Sequence, residues 1–192
     1  MPWRECAAMS PGKEVLPVSK ILLGVTGSIA AYKAAELTRL LLKGGHEVQV
    51  VMTAAATKFV APLTFQTLSK HPVMIEQFGE ISEWKPEHIA LSEDCDLVLV
   101  APATANTIAK ICHGIADNLL LSTILATKKP VYIAPAMNDG MWENPVTREN
   151  IRIMKERGFR IIEPGTGELA CGTSGRGRLA DIDAIVGAIQ CG

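Results

Sequence analysis

KILLGVTGSIAAYKAAELTRLLLKGGHEVQVVM, residues 20–52, is the stretch on which the fold turns. KILLGVT is a short apolar run closing on a glycine-bearing turn, the pattern of a strand buried on both faces. SIAAYKAAELTRLLLKGG follows with Ile29, Ala30, Ala34, Leu37, Leu40 and Leu41 at helical spacing. Ser28 stands where an N-cap belongs and Gly44–Gly45 where a helix ends. HEVQVVM then reads as a second strand. Together they form a βαβ unit, which requires parallel strands and a right-handed crossover.

The pattern repeats outward. Apolar runs recur at CDLVLVA (95–101), KPVYIAPA (129–136) and FRIIEP (159–164), with helical stretches at 105–127 and 146–157. Strands alternating with helices predict an α/β domain, a parallel sheet covered by helices on both faces. Residues 1–18, with three Pro, one Gly and mixed polarity, are set aside as a loose tail, and 19–192 as the domain.

Composition excludes several function classes. The 192 residues are 48% hydrophobic and 20% charged with net charge −1, an ordinary globular balance. No basic run supplies a nucleic-acid surface, and no apolar stretch reaches the ~20 residues of a membrane span. The five cysteines (Cys6, Cys95, Cys112, Cys171 and Cys191) form no close pair, so neither a disulfide framework nor a metal site is expected. That usage fits a reducing, cytoplasmic setting.

Ligands of such sheets sit beyond the carboxyl ends of the strands, where the strand order reverses. The segments at those ends are TGSIA (26–30), TAAAT (53–57), PATANT (102–107) and PAMNDGMW (135–142). Small residues, hydroxyls and amides dominate them. They suit a flat neutral ring with a phosphate tail, which needs close backbone approach and helix N-termini. GVTGSIA is not the G-x-G-x-x-G fingerprint, and alone it serves equally as a helix cap or a phosphate contact. Val51–Met52–Thr53 ends the second strand without the acidic residue that would hold an adenosine ribose. A mononucleotide such as FMN is therefore expected over a dinucleotide.

These loops, in this order, resemble the homo-oligomeric flavin-containing cysteine decarboxylases over about residues 19–187. PATANT matches the family's PASANT motif with Thr104 in place of serine, which keeps the hydroxyl. PAMNDGMW matches P-x-M-N-x-x-M-W without departure. His88–Ile89 resembles the family's histidine segment, and ACGTSGRGRL (170–179) its cysteine-bearing substrate clamp. The resemblance implies a Rossmann/flavodoxin-like three-layer αβα sandwich. It implies FMN held by Gly27, Ser28, Thr53, Ala103, Thr104, Ala105, Asn106 and Thr107, with substrate held by Ala136, Met137 and Asn138. It implies a trimer or dodecamer, and in many bacteria a phosphopantothenate–cysteine ligase fused or separate.

The chemistry can be argued beside the resemblance. A cysteine carboxylate has no electron sink when carbon dioxide leaves. Oxidising the thiol to a thioaldehyde creates one, and a flavin can take and later return the two electrons. A base, a grip on the carboxylate and a final proton donor are then required. Of the four histidines, His46 opens a strand at the end away from the ligand loops, His71 sits in a polar turn before Pro72, and His113 in a helix beside Gly114. Their contexts read as structural or solvated. His88 lies in a connection between strands, and the resemblance makes it the base. Asn138 either donates its amide to the carboxylate or forms a turn with Asp139–Gly140. Met137 could equally be core, and Met141 and Trp142 read as packing. Cys95 and Cys112 read as core thiols. Cys171 lies in a Gly-rich segment beside Arg176 and Arg178, whose charge favours thiolate chemistry. By resemblance it protonates the enethiolate in the last step.

That cysteine separates the branches. Relatives that decarboxylate lantibiotic peptides stop at the enethiol and lack it. The resemblance thus implies conversion of 4′-phospho-N-pantothenoylcysteine to 4′-phosphopantetheine in coenzyme A biosynthesis. A flavin-binding regulatory subunit would carry an acidic tail or a lost catalytic residue. A flavin prenyltransferase would leave the clamp and PAMNDGMW unexplained.

Overall fold

A computed structural model describes residues 19–77, 86–168, 170, 172 and 174–190. The expected tail 1–18, and with it Cys6, lies outside the described residues, as do Cys171 and Cys191. Five parallel strands, β1 (Lys20–Val25), β2 (Glu47–Met52), β3 (Leu97–Ala103), β4 (Val131–Pro135) and β5 (Arg160–Ile161), form one sheet in the order β2-β1-β3-β4-β5. Order reverses between β1 and β3, the flavodoxin-like arrangement, and there the carboxyl ends open a crevice.

Each face of the sheet carries its own core. Ile21, Leu23 and Val25 of β1 pack with Ala34, Leu37 and Leu41 of α1 (Ala31–Lys43) and Ile185 and Ile189 of α8 (Ile182–Gln190). Leu22, Val98 and Val100 face the other way, onto Ile108 of α4 (Ala105–His113), Leu120 of α5 (Leu119–Ala126) and Met154 of α7 (Pro145–Glu156). Gly24 gives that second layer its closeness. A Cβ there would lie 2.6 Å from Leu120 Cδ1, so the helix settles directly on the strand.

Several boundaries differ from the sequence reading. α1 starts at Ala31 with Ala30 as N-cap rather than Ser28. Ser28 instead closes the turn before the helix, its C=O accepting from Ala31 N–H at 2.9 Å and its Oγ from Ala30 N–H at 3.3 Å. Ile29, expected on the buried stripe, is 57% exposed because it precedes the first helical turn. The end is as expected: Gly44 N–H bonds Leu40 C=O and His46 N–H bonds Leu41 C=O, with Gly45 at φ +87°. The stretch 105–127 is two helices. Gly114, at φ +69°, terminates α4, and Asn118 caps α5 by accepting from Leu121 N–H at 3.0 Å. A short helix, α6 (Asp139–Glu143), precedes α7, which Asn144 caps. The loops after β2 carry α2 (Pro62–Ser69) and α3 (Glu87–Asp94).

Two further features went unread. β6 (Gly165–Glu168) and β7 (Ser174–Arg178) pair antiparallel as a hairpin, so much of the Gly-rich segment is strand. Beside β2, Met74 adds a parallel bridge at Val51: Met52 N–H bonds Met74 C=O at 2.8 Å and Met74 N–H bonds Val50 C=O at 3.0 Å.

Candidate active site at the carboxyl ends of the strands

The loop after β1 is tied to the loop after β3 by one buried hydroxyl. Thr26 Oγ1 donates to Pro102 C=O at 2.7 Å and accepts from Thr104 N–H at 3.1 Å. Thr104 N-caps α4: its Oγ1 accepts from Thr107 N–H at 3.2 Å and lies 3.0 Å from Thr107 Oγ1. The hydroxyl that the sequence reading assigned to a ligand therefore organises the helix start. The amides of Ala105 and Asn106, at the first turn, have no intrahelical acceptor by geometry, and both residues line a cleft of about 810 Å³.

That cleft lies at the β1/β3 switch point. Gly27, Ser28, Thr104, Ala105 and Asn106 line it, and across from them Ala136, Met137 and Asn138. Its volume falls within the ~300–1,000 Å³ typical of small-molecule sites. Small side chains around an exposed helix N-terminus fit a flat ring with a phosphate. Three expected contacts stand back from its walls. Ala103 is fully buried at the end of β3, and Thr107 is buried and engaged with Thr104. Thr53 Oγ1 accepts from Ala56 N–H at 3.3 Å. The TAAAT loop acts from behind: a Cβ on Gly27 would meet Ala55 Cβ at 2.5 Å, so the two loops touch.

Asn138 N-caps α6, its Oδ1 accepting from Gly140 N–H at 2.9 Å. The turn-forming reading of this side chain is therefore realised, at a position that also lines the cleft. Trp142 is fully buried, as the packing reading expected, whereas Met141 is 48% exposed and lines the cleft.

The hairpin supplies the remaining wall through Glu168, Ala170, Gly177, Arg178 and Leu179. β7 is clipped to the PAMND loop by Met137 N–H bonding Gly177 C=O at 2.9 Å. Two glycines permit that approach. A Cβ would meet Asp139 Cβ at 2.6 Å from Gly175, and Met137 O at 2.5 Å from Gly177, whose φ is +144°. Arg178 pairs with Asp181 at 2.8 Å and Arg176 with Glu163 at 2.9 Å.

His88 is the second residue of α3, half-buried, and is absent from the described walls of the cleft. Beside it Glu87 Oε2 is buried without a hydrogen-bond partner among the described residues. His71 Nε2 lies 3.6 Å from Glu47, His113 is exposed at the end of α4, and His46 is buried with both ring nitrogens unpartnered among the described residues. Burial pushes the Cys95 thiol up from its ordinary value, consistent with an inert core position. The sequence reading missed Ile29, Tyr32 and Lys33 as cleft residues. Tyr32, an apolar ring off the buried stripe of α1, was the available signal; Ile29 gave none, because its spacing placed it on that stripe.

The Flavoprotein family matches residues 9–191. The chain belongs to the Flavoprotein family. Among Flavoprotein relatives, the probable phosphopantothenoylcysteine decarboxylase of Streptococcus mutans is 50% identical over 173 residues, 89% of this chain and 97% of that protein. The coenzyme A biosynthesis bifunctional protein CoaBC of Bacillus subtilis is 48% identical over 166 residues, 86% of this chain but 41% of its own length. The chain thus spans about two fifths of that bifunctional relative. Among solved Flavoprotein structures, a cysteine-to-serine mutant of PPC decarboxylase complexed with pantothenoylaminoethenethiol superposes with TM-score 0.81. It is 31% identical, covering 91% of this chain and 97% of that one. The FMN-dependent cysteine decarboxylase SpaF gives TM-score 0.76 at 31% identity, covering 91% and 99%.

Proposed function

We propose that this Flavoprotein is a phosphopantothenoylcysteine decarboxylase, converting 4′-phospho-N-pantothenoylcysteine to 4′-phosphopantetheine with FMN as cofactor. The observation that carries this reading is the meeting of GVTGSIA, PATANT and PAMNDGMW on one cleft at the strand-order reversal. The 50% identical relative, of which the chain covers 97%, supports it.

When bound, the flavin supplies a two-electron acceptor for the substrate thiol and returns the same pair later. The first turn of α4, through the amides of Ala105 and Asn106, would hold the flavin phosphate together with the Gly27–Ser28 turn. Thr104 and Thr26 hold the α4 turn in place. Gly27 and Ser28 let the backbone approach. Ala136, Met137 and Asn138 orient the cysteine end, the Asn138 amide facing the carboxylate. The thiol loses two electrons and two protons to become a thioaldehyde, with His88 taking the first proton. The carbon–carbon bond to the carboxylate breaks, carbon dioxide leaves, and its electron pair is held as the enethiolate. With the two electrons and one hydrogen returned, a proton from Cys171 would complete the saturated carbon–carbon bond, and the thiolate so formed would take one further proton from the medium to give the thiol product.

Among the described residues His88 is not on the walls of its own chain's cleft; for this role we infer that it meets the cleft of another copy in a homotrimer or dodecamer. The same proposal puts the protein in the cytoplasm, with phosphopantothenate–cysteine ligase, fused or separate, as the preceding activity.

The test is a pair of half-reactions. His88→Asn should bind FMN yet release no carbon dioxide. Cys171→Ser should release about one equivalent of carbon dioxide per site, leave the flavin reduced, and yield a product two hydrogens lighter than 4′-phosphopantetheine. Near-parent carbon dioxide release by His88→Asn, or full turnover by Cys171→Ser, overturns the assignment.

A further inference from the structure

Trp142 is fully buried, yet its indole Nε1 has no hydrogen-bond partner among the described residues. Its ring is engaged by cations instead. The Arg148 guanidinium from α7 lies 5.3 Å from the ring centroid and that of Arg176 from β7 lies 5.7 Å away. Both fall within cation–π range. Arg176 also donates to Glu163 Oε2 at 2.9 Å, and Glu163 accepts from Lys155 of α7 at 2.6 Å. One hairpin side chain therefore reaches two fixed points of the domain, the indole on α6 and the carboxylate before β6.

We propose that Arg176 is a positioning residue: stacked on Trp142 and paired with Glu163, it holds β7, and so the hairpin wall of the cleft, at the spacing that substrate binding requires. β7 also meets the PAMND loop through the Gly177–Met137 hydrogen bond and the close approach at Gly175 and Gly177. Backbone contacts of that kind fix a distance but resist sliding and lifting weakly, because glycines bring no side chain. Arg176 adds the lateral anchor. Its planar guanidinium can stack and pair at once, which a point charge does less well. Arg178, two residues on, is directed to Asp181 and lines the cleft, so the two arginines divide between wall and anchor.

The substrate part of the test rests on the decarboxylase reading; the geometric part does not. In the FMN-bound enzyme, Arg176→Ala should raise KM for phosphopantothenoylcysteine roughly tenfold with kcat within about twofold of the parent. Arg176→Lys should recover much of that loss. Arg148→Ala removes the other cation from the same indole without touching the hairpin, and should keep the parent KM. Independently of substrate, thermolysin should cut Arg176→Ala between residues 165 and 178 several-fold faster than the parent, and Arg148→Ala at the parent rate. Arg176→Gln, uncharged but of similar reach, serves as the second variant if the alanine form loses its flavin. Parent-like KM or parent-like cleavage in Arg176→Ala and Arg176→Gln overturns the proposal, as does an Arg148→Ala that reproduces both changes. An enzyme that releases no carbon dioxide from this substrate overturns the functional reading alone, and the cleavage rates still decide the anchor.

Discussion

Two glycines show how differently the same residue is used. Gly177 combines φ +144° with a would-be Cβ 2.5 Å from Met137 O, so even alanine must displace backbone. Gly177→Ala should destabilise by about 1–3 kcal/mol and weaken substrate binding, because the shift is felt in the cleft wall. Gly187 sits within α8 with nothing inside 4 Å of its would-be Cβ and no positive φ. Gly187→Ala should stabilise by about 0.5–1 kcal/mol. Urea unfolding midpoints of the two variants check the opposite signs. At this scale the sequence spoke unevenly. Trp142 was readable as packing from its place in a strand-end motif, and Met141 was not, since one step along a five-residue helix reverses inside and outside. Cys171, which the sequence alone raises as a question, falls outside the described residues.

Among elements, α4 carries the sharpest prediction. Thr104 uses its hydroxyl at the helix start, so Thr104→Val should cost about 1 kcal/mol through the lost cap and release flavin as the first turn loosens. Thr104→Ser, which keeps the oxygen, should retain both stability and flavin. Flavin absorbance after gel filtration, read beside thermal unfolding, separates the two outcomes. A Thr104→Val protein that keeps full flavin would show that the α4 turn does not hold the cofactor. The central elements were legible because β1, α1 and β2 carry complete signals: a two-sided apolar run, a 3.6-residue stripe and a Gly–Gly stop. α4 and α5 merged because apolar periodicity continues across Gly114, and only its left-handed conformation breaks the run. The hairpin stayed hidden because SGRGR has no alternation of apolar and polar residues; glycines hold it by allowing backbone contact, which no hydrophobic pattern reports.

For the whole molecule, pH sets a stability limit on the alkaline side. Burial raises the Cys95 thiol, and a hydrogen bond and charge from Asp94, joined by Glu47, raise Lys20 against the smaller cost of burial. In both cases the folded state holds its proton more tightly than the unfolded chain. Their contributions are complete below the unfolded values and are lost as pH rises through the raised ones. Denaturation midpoints should therefore decline above about pH 8.5. The first part of that decline should be shallower in Cys95→Ala than in the parent. An equal slope in both would remove Cys95 as the cause.

The rung that Met74 lays beside β2 has a bearing on how copies of this chain can meet. A sheet with an open flank can recruit a foreign strand, and that route leads to fibrous stacking as readily as to ordered assembly. Here the flank beside Val50–Met52 is already occupied by the chain's own backbone, and the opposite flank, β5, offers two residues. A neighbour approaching either flank of this sheet would therefore meet mainly side chains on helices and loops, where shape and charge discriminate, rather than a peptide backbone common to every protein. A closed flank would make any association there selective.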